Sequence, residues 1–136
     1  MHQHLAEKSI DAIVAETYLG PPRNGHERRG DLQKSLHELT DLYYQSLSVF
    51  RKVLKPDAPV VLALPVYIIG LEKHGISVED FKPLGFEPDQ LLPQQILSRL
   101  GVRETKNHGL LYGRNDQFVW REIVRLRVRS DEKSAK

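Results

Sequence analysis

Residues 11–22 read Asp-Ala-Ile-Val-Ala-Glu-Thr-Tyr-Leu-Gly-Pro-Pro. The first half, Ala12–Ala15, is apolar and β-prone between two carboxylates, which is typical of a short strand buried on both faces of a parallel sheet. The second half, with a glycine and two prolines, predicts a rigid loop at the carboxyl end of that strand. Ligands of open α/β sheets bind at this end of the strands, so Glu16 and Tyr18 are candidate site residues. The alternative is an ordinary Gly-Pro turn after a buried strand.

The next two segments complete a βαβ unit. Apolar residues recur every three or four positions from Asp31 to Lys55, which predicts a long amphipathic helix. We expect Asp31 to cap its start and Pro56 to end it. The apolar run Val60–Leu64 predicts a second fully buried strand, ended by Pro65, and the crossover connection makes the two strands parallel.

The segments that follow are less regular. Tyr67–Gly75 predicts a mixed, partly helical stretch, and Ser77–Asp89 predicts a loop because prolines and a glycine interrupt it. Pro93 is expected to open a short helix that Gly101 ends.

The last third predicts an antiparallel hairpin with arms Leu110–Tyr112 and Phe118–Val128. In the second arm apolar residues alternate with Arg121, Arg125 and Arg127, and Glu122 interrupts the apolar face. The basic face could bind nucleic acid, but a solvated strand surface is the favoured interpretation.

Composition indicates one globular domain. The 136 residues carry a net charge of +2, with 40% hydrophobic residues and no cysteine. A mildly basic surface permits a nucleic-acid partner, and the lack of cysteine suits the cytoplasm. No apolar run approaches the roughly 18 residues of a membrane span, and the polar start predicts no signal peptide. We expect a flexible N-terminus at 1–10, a domain at 11–128 and a flexible tail at 129–136.

Two polar segments offer further candidate sites. Arg23, Arg28 and Arg29 lie in the loop just beyond the motif and could hold the phosphates of RNA; the alternative is a solvated loop. His2 and His4 could form a metal-binding pair, but a frayed terminus is the favoured interpretation, and we predict no metal site.

Residues 11–20 resemble the strand-four motif of class I S-adenosylmethionine-dependent methyltransferases that act on exocyclic amines. More narrowly, they resemble the RNA methylase family that includes the guanosine-N2 tRNA methyltransferases, some members of which read Glu-Pro-Tyr-Leu-Gly where this chain has Glu16-Thr-Tyr-Leu-Gly20. Three further segments agree in order: Phe50-Arg-Lys-Val-Leu-Lys-Pro56, Val60-Val-Leu-Ala-Leu-Pro65, and Leu111-Tyr-Gly-Arg114 with Val119-Trp-Arg-Glu-Ile123.

The resemblance implies an α/β fold that is only the C-terminal half of a Rossmann-like methyltransferase. Its sheet would contain the family's strands in the order 4-5-7-6, as a parallel βαβ unit followed by the antiparallel hairpin. The family's glycine-rich cofactor loop and ribose-binding acid have no counterpart here. The strand at 12–15 would therefore have a free edge, for which we expect either self-association or a partner that supplies the N-terminal half.

The resemblance also implies roles for the motif residues. Glu16, Thr17 and Tyr18 would be catalytic, and Glu16 and Tyr18 would contact S-adenosylmethionine in a site that this chain leaves incomplete. The implied reaction is methyl transfer to an exocyclic base amine of RNA, most specifically guanine N2 of tRNA, with the isolated chain inactive. The alternatives are a non-catalytic remnant or interaction module that pairs with another chain, and an unrelated small α/β domain.

Overall fold

The computed structural model describes residues 5–129. The strands are β1 (Ile13–Glu16), β2 (Pro59–Ile69), β3 (Glu72–His74), β4 (Phe86–Asp89), β5 (Leu110–Tyr112) and β6 (Val119–Val128). The helices are α1 (Arg29–Val53), α2 (Gln94–Leu100) and a 3-10 helix at Val78–Leu84. Residues 1–4, with His2 and His4, and residues 130–136 of the predicted tail lie outside the described part of the chain.

Within residues 5–129 the strands form one six-stranded sheet in the order β1-β2-β6-β4, with β3 also paired to β2 and β5 to β6. β1 is parallel to β2, and the other pairs are antiparallel. This confirms the parallel βαβ unit, the C-terminal hairpin and the predicted strand order, which corresponds to β1-β2-β6-β5. β4 is an additional strand, paired to β6 beyond β5. The carboxyl end of β1 therefore lies beside β2 in the sheet, as the sequence of residues 11–22 predicted.

The prediction that β1 is buried on both faces is wrong. Ile13 and Ala15 pack against the core, whereas the side chain of Val14 is 77% exposed. Burial on both faces requires a layer on each side of the sheet. Here α1 and the 3-10 helix contribute to a core on one side only. β1 is also the last strand of the sheet order, so its outer edge has no partner among residues 5–129.

Helix α1 supplies the main apolar layer through a stripe of buried residues, Leu32, Leu39, Tyr43, Leu47 and Val53. Asp31 does not cap it: the N-cap residue is Arg28, which makes no side-chain cap bond, and Asp31 lies in the first turn. A carboxylate there still interacts favourably with the helix dipole. Residues 8–10 bond to the Lys52 and Val53 carbonyls, so part of the segment expected to be flexible is joined to the end of α1.

Pro65 does not end β2, which continues to Ile69. Tyr67 pairs with β6 on one side and with β3 on the other, and β1 pairs with β2 only as far as Ala63. On the edge of β2 that faces β1 and β3, Pro65 lies between the two paired stretches. The N–H that proline lacks would therefore have had no ladder partner on that edge. The expected helical character of Tyr67–Gly75 is likewise wrong, because β2 and β3 form a hairpin there.

The segment Ser77–Asp89 is not a loop. Ser77 Oγ accepts a hydrogen bond from Glu79 N–H and caps the 3-10 helix, which ends at Gly85 with a φ of 94°. β4 follows as an edge strand, a position in which a strand tolerates Pro88. The predicted helix after Pro93 is confirmed as α2, with Gly101 as its C-cap at a φ of 65°.

Among the described helices, none has the length and apolar character needed to span a bilayer.

Candidate functional site at the carboxyl end of β1

Glu16 is the last residue of β1, and its side chain is 60% exposed. Arg121 of β6 donates from Nε to Glu16 Oε1 at 2.8 Å. The two residues lie 105 positions apart along the chain and meet because β2 lies between their strands. The pair orients the carboxylate from one side, and no residue within 5–129 donates to the second oxygen, so Glu16 can accept hydrogen bonds from a ligand.

Thr17 is held by its side chain. Its hydroxyl donates to the Ala63 carbonyl at 2.7 Å and lies 3.0 Å from the Tyr43 hydroxyl. The first bond adds one contact to β2 directly after β1 ends. A proline at this position would restrict the backbone through its ring; in this chain the hydroxyl contacts restrain Thr17 instead.

Two tyrosines hold the backbone of the motif loop. The Tyr43 hydroxyl donates to the Tyr18 carbonyl, and the Tyr67 hydroxyl donates to the Leu19 carbonyl at 3.1 Å. Burial raises the pKa of Tyr43 to about 12, against an opposing effect of the Thr17 hydroxyl. Gly20 has a φ of 96°, and a Cβ there would lie 2.1 Å from the Tyr67 hydroxyl. The loop backbone is therefore fixed closely against both tyrosines.

The ring of Tyr18 is free by contrast, since the residue is 60% exposed. Beside it lies an apolar cavity of about 260 Å³ between β1 and α1. Its lining includes Ala15, Leu42, Tyr43 and Phe50. The site thus combines an accessible carboxylate, an exposed aromatic ring and an adjacent apolar surface.

Arg23 does not lie where an RNA phosphate could reach it. Its side chain is 5% exposed, and it donates to the Phe118 carbonyl at 2.7 Å and to the Ile68 carbonyl at 3.1 Å. The guanidinium also lies 5.0 Å from the centre of the Tyr67 ring. The RNA contact predicted for Arg23 is therefore corrected: this arginine joins the motif loop to the end of β2 and the start of β6.

Arg28 and Arg29 remain on the surface. Arg29 pairs with Glu72 at 3.2 Å, and this carboxylate also bonds to His74. Both contacts lower the pKa of Glu72, the His74 bond most strongly. Arg28 has no ion-pair partner within residues 5–129. The RNA contacts expected of these two arginines remain a prediction.

The arginines of β6 are all matched with acids. Arg121 pairs with Glu16, and Arg125 with Asp89 at 3.5 Å. Arg127 pairs with both Asp57 and Glu87, at 2.9 and 2.6 Å. A nucleic-acid backbone would have to displace these carboxylates, so the geometry favours a structural role for the basic face.

Sequence reasoning misses the supporting residues of the site. The sequence pattern places Tyr43 in the apolar stripe of α1, Tyr67 in an irregular segment and Arg121 on a charged surface. A hydroxyl inside an apolar stripe is a usable signal, because a buried tyrosine needs a hydrogen-bond partner. The residues described contain no group of three or more His, Cys, Asp or Glu that could hold a metal ion.

The fold is similar to that of TTHA0409 from Thermus thermophilus, a "Putative DNA Modification Methylase". The TM-score is 0.55 at 12% identity, over 95% of this chain and 50% of that chain. A structure of TTHA0409 complexed with S-adenosyl-L-methionine gives a TM-score of 0.53, also at 12% identity, over 95% and 49% of the two chains. No protein-family model and no curated protein matches the sequence. The likeness establishes the fold, and the chain spans about half the length of the solved structures that it matches.

Proposed function

We propose that this chain is the substrate-facing half of an S-adenosylmethionine-dependent nucleic-acid methyltransferase that modifies an exocyclic base amine. The observation that supports it best is the accessible Glu16 carboxylate, at the carboxyl end of β1 and directly before a fixed loop with an exposed aromatic ring. This is the position at which open α/β sheets bind ligands. The solved structures of similar fold include TTHA0409 complexed with S-adenosyl-L-methionine.

The chemistry needs an acceptor such as Glu16. An exocyclic amine is a poor nucleophile because its lone pair is delocalised into the base. A carboxylate oxygen that accepts one N–H would localise this pair and stabilise the positive charge that develops on nitrogen. Arg121 occupies Oε1, so the second oxygen of Glu16 is the one that would face the amine.

The loop residues would orient the base. The Thr17 carbonyl would accept the second N–H of the amine, and the hydroxyl bonds of Thr17 restrain that residue. Tyr18 would stack on the base, a contact worth about 1–3 kcal/mol in single-stranded nucleic-acid complexes. Fixed acceptors and a stacking ring supply the orientation on which transfer depends.

S-adenosylmethionine, when bound, supplies the methyl group. Only part of such a site is present: Glu16 and Tyr18 offer an acceptor and a ring, while the flank beyond β1 has no strand or glycine-rich loop within residues 5–129. We propose that an N-terminal half or a second copy supplies the rest beside the free edge of β1, whether on this polypeptide or on another. The isolated chain is therefore proposed to bind the cofactor weakly and to be inactive.

We further propose RNA, specifically guanine N2 of tRNA in the cytoplasm, as the target. The support is the ordered resemblance of four segments to the RNA methylase family, with Arg28 and Arg29 on the surface beyond the loop. TTHA0409 is named a "Putative DNA Modification Methylase", so DNA is the competing substrate. A non-catalytic module that pairs with another chain is the competing function, favoured by the open β1 edge.

The test is transfer of labelled methyl groups to unmodified tRNA and to duplex DNA, with the chain alone and co-expressed with the polypeptide encoded next to it. We expect label on tRNA guanine only in the co-expressed complex. Glu16→Gln is expected to reduce kcat far more than tRNA affinity, because its charge matters most in the transition state. Glu38→Gln, at an exposed acid of α1, is the matched control.

Four outcomes would contradict the proposal at different points. Label on DNA alone would show that the RNA assignment is wrong. An active Glu16→Gln complex would remove the role of the carboxylate, and a complex inactive on both substrates would favour the interaction module. Calorimetry giving low-micromolar affinity of the isolated chain for S-adenosylmethionine would show that its site is complete.

A further inference from the structure

A second cavity, of about 390 Å³, lies apart from the motif loop, between the end of β2, the segment 75–77 and the segment 105–107. Neither Glu16 nor Tyr18 contributes to its lining. Its volume falls within the roughly 300–1,000 Å³ typical of small-molecule sites. The methyl-transfer proposal assigns no role to this cavity.

Glu122 contributes a buried charge to the cavity. The residue is 5% exposed and is the one buried charged residue of the described core. Its Oε1 accepts a hydrogen bond from Asn107 Nδ2 at 2.7 Å, and no residue within 5–129 donates to Oε2. A buried carboxylate is costly unless its oxygens accept hydrogen bonds. Glu122 therefore retains capacity to accept N–H donors from a ligand in the cavity.

Asn107 is not available to a ligand in the same way. Its Nδ2 also donates to the Ile76 carbonyl at 2.9 Å, and its Oδ1 accepts from Val78 N–H at 3.2 Å. These bonds fix the wall of the cavity and the orientation of the Glu122 carboxylate. The acceptor is thus held in place before any ligand enters.

The remaining lining combines apolar residues with the hydroxyls of Ser77 and Thr105 and with two lysines. Val66 is buried and Leu111 is partly exposed, while Lys73 and Lys106 are exposed residues of the lining. The cavity therefore suits a flat, largely apolar body with N–H donors at one end and an anionic group at the other. An arginine side chain would satisfy the carboxylate, but the two lysines would repel it.

A guanine nucleotide has these properties. Its ring N–H and exocyclic amine are adjacent donors that a carboxylate can accept together, whereas adenine presents an acceptor at the corresponding ring nitrogen. Bases that leave a helix are read in this manner, by hydrogen bonds to the Watson–Crick edge and by apolar walls. The phosphate would lie near Lys73 and Lys106.

We propose that this cavity binds an unpaired guanine nucleotide of the RNA substrate, with Glu122 reading the base and Lys73 and Lys106 holding its phosphate. The identity of the ligand as part of an RNA rests on the proposed function. Recognition of guanine itself does not, because it needs neither the cofactor nor the partner.

The test titrates the chain with GMP, IMP and AMP and follows backbone amide shifts by NMR. We expect GMP to shift the amides of segments 75–78 and 105–107 and to bind at least about tenfold more tightly than AMP, as for hydrogen bonds to a charged group. IMP keeps the ring N–H and lacks the amine, so its affinity is expected to lie between the two. Equal binding of GMP and AMP, or shifts confined to the motif loop, would overturn the proposal.

Variants extend the test. Glu122→Gln preserves the side-chain shape and an acceptor for Asn107, and we expect it to abolish the preference for GMP over AMP. Lys106→Gln is expected to weaken both nucleotides and to reduce the salt dependence of binding. Glu104→Gln, at an acid paired with His108 outside the cavity lining, is the matched control and should bind like the wild type. If Glu122→Gln does not fold, the nucleotide series on the wild type still decides.

Two short RNAs separate the sources of the nucleotide. The oligomer UUGUU is expected to bind more tightly than UUAUU and to shift the same amides as GMP. Binding of free GMP without preference between the oligomers would show a nucleotide site unrelated to RNA. Guanine-selective binding by a complex that transfers no methyl groups would leave this inference standing and refute the proposed function alone.

Discussion

Replacing Tyr43 by phenylalanine should reduce the free energy of unfolding by about 1–3 kcal/mol, the cost of leaving a buried hydrogen-bonding group without its partner. Tyr43 is 4% exposed, and its hydroxyl donates to the Tyr18 carbonyl and lies 3.0 Å from Thr17 Oγ1. Phenylalanine keeps the ring and its packing against the core. The change therefore isolates the hydroxyl that holds the motif loop.

Urea unfolding followed by Trp120 fluorescence measures the loss. Tyr44→Phe is the matched control: the neighbouring residue is 39% exposed, and its variant should stay within about 0.5 kcal/mol of the wild type. Amide hydrogen exchange at Leu19 and Gly20 should accelerate in Tyr43→Phe and not in the control. If both variants match the wild type in stability and exchange, Tyr43 does not hold the loop.

The free energy of unfolding should fall as the pH rises from 10 to about 12, and it should fall less in Tyr43→Phe. The pKa of Tyr43 is about 12 in the folded state and 10 in the unfolded state, so the stabilisation is complete below pH 10 and is lost as the pH rises through 12. Urea titrations at several pH values check this. Gly20→Ala should lower the melting temperature, since its Cβ would meet the Tyr67 hydroxyl at 2.1 Å, whereas Gly30→Ala, in open space within α1, should raise it slightly in thermal unfolding. In sedimentation velocity the wild type should self-associate as its concentration rises. Val14→Lys places a charge on the edge strand and should reduce this self-association. A wild type that stays monomeric at high concentration would contradict the role of the β1 edge.

The sequence is sufficient to predict the elements whose hydrophobic pattern repeats over many consecutive residues. Helix α1 repeats its apolar spacing over 25 residues, and the second arm of the hairpin, β6, alternates between buried and partly exposed residues. The short β3 and β4 and the 3-10 helix are missed because prolines and glycines within 70–89 indicate loops unless their pairing partners are known. The interpretation of Pro65 fails for the same reason: a proline need not end a strand where the edge that its missing N–H would face is unpaired.

The site is predicted in part. Glu16 and Tyr18 are found because their strand and loop are continuous in sequence. The role of Arg23 is not predicted, because the carbonyls that it contacts lie 45 and 95 positions away in the sequence. Its burial depends on three segments that only the folded sheet brings together. The exposure of Val14 is missed because an apolar run does not reveal how many faces of a sheet are covered.

The break at Pro65 determines where the motif loop leaves the sheet. Beyond Ala63 the outer edge of β2 offers β1 no further donor, and the hydroxyl of Thr17 already occupies the Ala63 carbonyl. The exit point is thus encoded in β2 rather than in the loop. The contacts made by Tyr43 and Tyr67 are to backbone carbonyls, which any residue would supply. With Arg23 kept as the anchor of the loop, the exposed residues 24–26 and 28 could accordingly be exchanged for differently charged ones without moving Glu16, so that substrate preference can diverge while the position of the carboxylate is inherited.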